Sequence, residues 1–399
     1  MSFSTLPLSY CTNVHPGQSV AEVVARLRDC TAPVQEQLGT PIAAGLWLAD
    51  AVIREVANDP ASAQRLQETL EELDLVCYTL NAFPFGNFHS EQVKEQVYLP
   101  DWTTGERFDY TLACARYLAE LLPDGVEGSL STVPLGYKGF PHANDFDSRC
   151  HARLLQLAES LDELHDDTGR VIRLAIEPEP CCVLETTDET LGFFEQLFAA
   201  AESSGRLEMA RRHLGVCYDV CHQSVEFEDV GDSIARLAAT DVRINKVHIT
   251  CALRLTEPGD NSDGREALQH FVEPRYLHQT LARGPKGELL RQQDLSAEFC
   301  SVPPADFAAA GEWRTHFHVP VNAETIGPLL TTRDDLRRAL QAVHQLPYAP
   351  HLEVETYTWG VLPGEAKPLL VDGLTAELRA TRELLQSIGS EGSPSPAVA

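Results

Sequence analysis

The sequence predicts a single (β/α)8 TIM barrel of the α/β class, and three observations indicate it. Eight short apolar runs alternate with eight amphipathic segments along the 399 residues, which is the pattern of parallel strands joined by helices. Acidic residues and histidines follow directly after several of these runs. The first run ends in residues 11–17 without the glycine-rich phosphate turn that a doubly wound open sheet should carry.

The elements follow one another in regular order. Predicted strands begin near residues 7, 44, 75, 128, 171, 214, 244 and 352, and predicted helices cover residues 19–37, 59–74, 106–122, 148–167, 187–203, 232–240, 332–346 and 374–388. Two of the helices begin with capping boxes, Ser19 with Glu22 and Thr186 with Glu189. Pro60, directly after an aspartate, suits the first position of the second helix.

One gap in this order is far longer than the others. About a hundred residues separate the seventh and eighth predicted strands, and a loop of that length without structure is uncommon. Within it, segments 276–281 and 288–295 flank an Arg-Gly-Pro-Lys-Gly turn and predict a β-hairpin, and segment 313–321 predicts a third strand. We therefore expect one barrel domain, residues 1–389, with a β-rich insertion at 252–320 near its C-terminal mouth. Residues 390–399 are of low complexity and are expected to be disordered.

Composition restricts the partners. The chain has 59 acidic and 31 basic residues and a formal net charge of -28, which disfavours nucleic acids and anionic lipids. No apolar stretch approaches 18 residues, so no membrane insertion is expected. The 11 cysteines are odd in number and include no C-x-x-C pair, which favours free thiols in a reducing compartment. The sequence thus predicts a cytoplasmic protein with a small polar substrate, and it leaves the oligomeric state open.

Five residues at predicted strand ends carry the chemistry. Glu177 follows the fifth strand, Asp219 and His222 follow the sixth, His248 ends the seventh, and Glu355 ends the eighth. Because the C-terminal ends of barrel strands meet at one mouth, these side chains should converge. Carboxylates and imidazoles together are ligands of a hard-to-borderline divalent ion.

Further candidates lie close to these strand ends. Lys246 shares a strand face with His248 and is expected to assist at a substrate oxygen. The residues expected to contact substrate are His15, His222, Glu179, Glu185, His316 and His318. Since His316 and His318 lie in the insertion, the sequence leaves open which histidine is the innermost ligand.

The order of Glu177, Asp219-x-x-His222, His248 and Glu355 resembles the xylose isomerase-like superfamily, which includes sugar isomerases and epimerases and endonuclease IV. Residues 9–17, 177–185 and 316–320 resemble EboE-type metabolite traffic proteins. The resemblance implies that Glu177, Asp219, His248 and Glu355 bind one divalent ion (Mn, Zn, Co or Mg). It also implies that His222 contacts the substrate or supports a ligand.

This ligand set predicts a metal-dependent isomerase or epimerase. Its substrate would be a small polyhydroxylated carbonyl compound, such as a sugar, sugar phosphate or cyclitol, and the reaction would pass through an enediolate. Glu177 and Glu355 would serve as base and acid. Two alternatives remain: a metal-dependent hydrolase of the endonuclease IV-like branch, and a non-catalytic metabolite-binding barrel in a biosynthesis or export pathway.

Overall fold

The computed structural model describes residues 3–364 and 368–391. It has fourteen strands in these ranges, and eight of them form a closed parallel barrel, which confirms the predicted fold class. The strands are β1 Ser9–Cys11, β2 Ala43–Trp47, β3 Thr79–Asn81, β4 Gly128–Thr132, β5 Ile172–Ile176, β6 Leu214–Asp219, β7 Ile244–Ile249, β8 Leu253–Thr256, β9 Thr280–Arg283, β10 Leu289–Gln292, β11 Glu312–Thr315, β12 Thr325–Ile326, β13 Leu329–Thr331 and β14 His351–Val354. The barrel closes in the order β1-β14-β7-β6-β5-β4-β3-β2.

Helices follow the barrel strands in the predicted alternation. They are α1 Val20–Arg26, α2 Ala32–Leu38, α3 Asp50–Asn58, α4 Pro60–Glu72, α5 Gly105–Leu121, α6 Phe146–Thr168, α7 Thr187–Ser203, α8 Leu207–His213, α9 Val220–Val225, α10 Val230–Ala238, α11 Ser262–Gln269, α12 Ala297–Ser301, α13 Ala305–Ala308, α14 Arg333–His344 and α15 Leu370–Glu391. Thr186 forms the predicted capping box with Glu189 at the start of α7. None of the helices in the described ranges is long and apolar enough to cross a membrane.

The insertion between β7 and β14 forms a second, antiparallel sheet. Its strands pair in the order β10-β9-β11-β8-β13-β12, and β9 with β10 is the predicted hairpin. Strands β8, β12 and β13 were not predicted, and the pairing continues to Thr331, past the expected end of the insertion at residue 320. Residues 390–399 were expected to be disordered, but Ser390 and Glu391 lie in α15. Residues 392–399 lie outside the described ranges.

The barrel interior contains a buried ion pair directly below the C-terminal mouth. Lys246 on β7 and Glu353 on β14 are fully buried, and Lys246 Nζ lies 2.6 Å from Glu353 Oε2. Gly45 makes room for this carboxylate, because a Cβ at residue 45 would lie 1.5 Å from Glu353 Oε1. In strand register, Asp219 and Glu353 both pair with His248, which brings three functional side chains to one level of the barrel.

Candidate metal centre

Four of the sequence-predicted residues meet at the C-terminal mouth. Glu177 follows β5, Asp219 ends β6, His248 lies in β7 and Glu355 follows β14. One potential ligand atom from each lies within 4.8 Å of the others, and all four side chains are buried. The predicted convergence of these strand ends is therefore present in the structure.

His248 stands at the centre of this cluster. Its Nδ1 lies 3.0 Å from Glu177 Oε1, 3.3 Å from Glu355 Oε2 and 3.5 Å from Asp219 Oδ2. Two ligand atoms that are each about 2.0–2.1 Å from one ion lie roughly 2.9–3.4 Å apart at bond angles of about 90–110°. Two of the three distances from Nδ1 lie in this range and the third, to Asp219, is 3.5 Å, so the spacing is close to that of one metal coordination sphere.

The opposite edge of the His248 ring fixes its tautomer. Nε2 lies 3.2 Å from Glu353 Oε2, and a carboxylate can only accept, so the Nε2–H of His248 donates. In the neutral ring Nδ1 then carries a lone pair that faces three carboxylates. This is the arrangement of a metal-binding histidine held by a carboxylate behind it.

The buried acidic groups around His248 favour a positive charge at the centre of the cluster. Burial disfavours a charged imidazole, yet the surrounding acidic groups Cys217, Glu177 and Glu355 raise the pKa of His248 well above its ordinary value. Burial likewise raises the pKa of Glu177 and that of Glu355. A cation at the centre, whether a proton or a metal ion, offsets the repulsion among these groups.

Hydrogen bonds leave specific carboxylate oxygens open. Glu355 Oε1 accepts from Asn13 Nδ2 at 2.8 Å and Asn81 Nδ2 at 2.9 Å, so Oε2 faces the centre. Asp219 Oδ1 accepts from the His222 backbone N–H at 3.0 Å and from Thr250 Oγ1 at 2.7 Å. Among the described residues, Asp219 Oδ2 and Glu177 Oε2 are buried without a hydrogen-bond partner. Such atoms are costly unless an ion or water satisfies them, and the four residues therefore fit a bound metal.

Three further histidines line the wall beside this cluster. His222 follows Asp219 in the first turn of α9, and His316 and His318 come from the segment after β11. All three are buried, and their ring centroids lie 4.6–5.4 Å apart. The insertion therefore reaches the barrel mouth, while His248 is the imidazole surrounded by the three carboxylates.

A cavity opens onto these residues, and Glu177, Glu355 and the three histidines line it. Glu179 lines it, and the Tyr98 hydroxyl donates to Glu179 Oε1 at 2.6 Å. Burial raises the pKa of Glu179 well above its usual range. Most of the remaining wall is apolar or aromatic, with Phe83, Phe88, Tyr276 and Tyr357.

Three predicted site residues lie away from this cavity. Lys246 is enclosed in the barrel with Glu353, and His15 contacts the Tyr10 hydroxyl through Nε2 at 3.0 Å. Glu185 is buried and pairs with Lys138 at 2.8 Å. None of the three lines the cavity in the described ranges, so the roles expected for them stay predictions without support from their positions.

The sequence analysis missed several residues that shape the site. Glu353 contacts His248, Asn81 holds Glu355, and Tyr98 holds Glu179. A signal for Glu353 was present, because Glu353 and Glu355 alternate on one face of the strand, as Lys246 and His248 do. Asn81 and Tyr98 carry no charge and lie in a three-residue strand and a short 3-10 segment, which give little pattern.

Comparison with solved structures identifies the fold. An L-ribulose 3-epimerase is similar at a TM-score of 0.51 and 14% identity, over 97% of both chains. A xylose isomerase-like TIM barrel protein from Mycobacterium smegmatis in complex with magnesium is similar at 0.52 and 14%, over 98% of this chain and 100% of that one. This chain has the xylose isomerase-like TIM-barrel fold.

A D-tagatose 3-epimerase-like protein has the same fold, at a TM-score of 0.51 and 10% identity, over 97% of this chain and 100% of that one. No family model and no curated protein sequence matches this chain. At these identities the likeness establishes the fold, and the activity has to be argued from the residues of the site.

Proposed function

We propose that this protein is a metal-dependent isomerase or epimerase of a small polyhydroxylated carbonyl compound. The observation that carries the proposal is the pair of buried carboxylates, Glu177 and Glu355, which line the cavity and lie 3.0 and 3.3 Å from His248 Nδ1. Similarity in fold to an L-ribulose 3-epimerase and to a D-tagatose 3-epimerase-like protein supports it.

Glu177 and Glu355 would move the proton. One carboxylate removes a carbon-bound proton next to the substrate carbonyl, and the other returns a proton to the opposite face or to the neighbouring carbon. A divalent ion held by Glu177, Asp219, His248 and Glu355 supplies the positive charge that stabilises an enediolate. Asn13 and Asn81 donate to Glu355 Oε1 and so fix the orientation of this carboxylate.

The cavity wall favours an uncharged substrate. Lys94 is the cationic side chain among the described lining residues, and its ammonium already donates to the Glu273 and Tyr276 carbonyls and to Asp294 Oδ2. Phosphate recognition requires available Lys, Arg or backbone donors. The aromatic wall instead suits the apolar face of a sugar or cyclitol ring, so we propose a neutral polyol carbonyl compound rather than a sugar phosphate.

Hydrogen–deuterium exchange tests this function. The protein is loaded with Mn²⁺, incubated in D2O with a panel of neutral ketoses and keto-cyclitols, freed of the metal and examined by proton NMR. We expect the NMR signal of a carbon-bound proton next to a carbonyl to disappear. A chelator present during the incubation should prevent this loss. Glu177→Gln should abolish the exchange, and His344→Gln, at a buried histidine of α14, should retain it. A protein that binds metal and a panel member without any exchange would contradict the proposal.

A metal-dependent hydrolase is the second candidate, because His222, His316 and His318 add imidazoles beside the carboxylate cluster. The charge of -28 disfavours a nucleic acid as its substrate. Hydrolysis of a small phosphodiester probe, which carries a single negative charge, without any deuterium exchange would favour this candidate. The finer resemblance to EboE-type proteins stays a prediction.

A further inference from the structure

The three histidines on the cavity wall share one tautomer in the neutral form, with the hydrogen on Nδ1. His222 Nδ1 lies 3.0 Å from the Pro178 carbonyl oxygen, and His318 Nδ1 lies 2.9 Å from the Glu355 carbonyl oxygen. A carbonyl oxygen only accepts, so in both rings Nδ1 carries the hydrogen and Nε2 is left with a lone pair in the neutral form.

His316 has the same tautomer, which its amide partner fixes. His316 Nδ1 lies 2.7 Å from Gln279 Oε1, while Gln279 Nε2 lies 3.1 Å from the Pro180 carbonyl oxygen. Because that backbone oxygen requires a donor, the Gln279 amide orientation is settled, and Oε1 accepts from His316. The Nε2 lone pair of His316 is therefore also left free.

Two of these lone pairs lie close together, and ligand atoms of Asp219, His222 and His318 lie within 4.8 Å of one another. His222 Nε2 and His316 Nε2 are 3.1 Å apart, which is the spacing of two ligands on one ion by the same reasoning as for His248. His318 Nε2, fully buried, has no hydrogen-bond partner among the described residues. Asp219 Oδ2, which also lacks one, lies 4.0 Å from His222 Nε2 and 3.9 Å from His318 Nε2.

We propose that this wall is a second divalent-metal site, held by His222, His316 and His318, with Asp219 Oδ2 shared between it and the first site. Asp219 Oδ2 is also 3.5 Å from His248 Nδ1, so it stands between the two ligand sets. The first set is mostly carboxylate and the second mostly imidazole. Imidazole favours zinc and similar transition metals, whereas carboxylate suits magnesium or manganese.

The insertion builds this site. The His316 backbone N–H donates to the Gln279 carbonyl oxygen at 2.8 Å, which extends the pairing of β11 with β9 to the barrel mouth. Without the insertion, the wall would have only His222. The proposal concerns ion binding and stands whether or not the protein is an isomerase.

Metal stoichiometry tests the second site. The protein is stripped with a chelator, loaded with Zn²⁺ or Mg²⁺, freed of excess ion and analysed by mass spectrometry for metal per chain. We expect two zinc ions but one magnesium ion in the wild-type protein. His316→Gln and His318→Gln should each retain one zinc ion, and the matched control His15→Gln, a buried histidine outside the cavity, should retain two. Thermal denaturation shows whether each variant is folded.

The outcomes separate this proposal from the proposed function. One zinc ion in the wild-type protein, at the carboxylate set, would overturn the second site and leave the isomerase proposal standing, since a single proton would then bridge His222 and His316. Two zinc ions in both histidine variants would overturn the ligand assignment. If those variants do not fold, anomalous scattering from zinc-loaded wild-type crystals decides, with two peaks about 3.5–4 Å apart expected.

Discussion

Glu353 offers the sharpest test of how the barrel interior supports the site. Its carboxylate accepts from Lys246 at 2.6 Å, from His248 Nε2 at 3.2 Å and from Ser9 Oγ at 3.0 Å, and it is fully buried. It therefore neutralises a buried ammonium and holds His248 with Nδ1 towards Glu177, Asp219 and Glu355. Loss of the first role should lower the free energy of unfolding, and loss of the second should weaken metal binding.

Removing the charge of Glu353 alone should destabilise the fold. In Glu353→Gln the Lys246 ammonium stays buried, with contacts to Leu80 O at 3.4 Å and Ser131 Oγ at 3.3 Å. Breaking one partner of a buried ion pair costs about 3–5 kcal/mol, and we expect this loss in the free energy of unfolding. Adding Lys246→Met removes the unpaired charge and should recover most of the stability.

Two double variants isolate the effect on the metal. Lys246→Met with Glu353→Gln keeps an oxygen that accepts from His248 Nε2–H, whereas Lys246→Met with Glu353→Leu does not. Loss of such a supporting contact weakens metal binding about 10–100-fold, or roughly 1.4–2.7 kcal/mol. We expect that loss in the leucine variant and a smaller one in the glutamine variant.

Urea denaturation gives the stabilities of the metal-free proteins, and calorimetric titration with Mn²⁺ gives the affinities. The reasoning fails if the leucine double variant, once shown to be folded, binds Mn²⁺ as tightly as the wild-type protein. It also fails if Glu353→Gln unfolds at the wild-type urea concentration, because the buried pair would then contribute nothing.

Four other outcomes are expected. Gly45→Ala should lower both stability and Mn²⁺ affinity in the same two assays, because its Cβ would displace the Glu353 carboxylate. Chelation should lower the melting temperature of the wild-type protein, since an ion at 100 times its dissociation constant contributes about 2.7 kcal/mol, and Asp219→Asn should abolish this response in calorimetry. Asn81→Ala should lower kcat more than KM in the exchange assay, because Glu355 Oε1 loses a donor. Burial, with Arg26 and His89, lowers the pKa of His15 from 6.5 to about 3. The free energy of unfolding should therefore fall progressively as the pH drops between these values. His15→Gln should make that fall smaller when unfolding is followed during titration with acid.

Strand ends were the part of the site that the sequence predicted well. Glu177, Asp219, His248 and Glu355 each end or follow an apolar run, and the geometry of a parallel barrel brings such positions together without knowledge of any contact. The fold class depended on the same alternation. Helix α3 was missed because it follows β2 closely and only Asp59 separates it from α4, so only the second helix, with Pro60 at its first position, was predicted.

Contacts across the barrel could not be predicted from the sequence. Lys246 was expected at a substrate oxygen, but its partner Glu353 lies on β14, and the pairing that places them side by side depends on strand register. The short strand Leu253–Thr256 has four alternating residues, too few to distinguish a strand from a loop. The sequence left open whether His316, His318 or His248 is the innermost histidine. The position of the first two depends on how the insertion folds back over the mouth.

A crystal structure of the protein grown with Mn²⁺, with anomalous diffraction data, tests the central claim most directly. We expect a peak bonded to His248 Nδ1 and to oxygens of Glu177, Asp219 and Glu355, with ligand distances of about 2.0–2.2 Å. A folded protein whose manganese peak lies elsewhere, with these four side chains still facing one another and no ion between them, would contradict it.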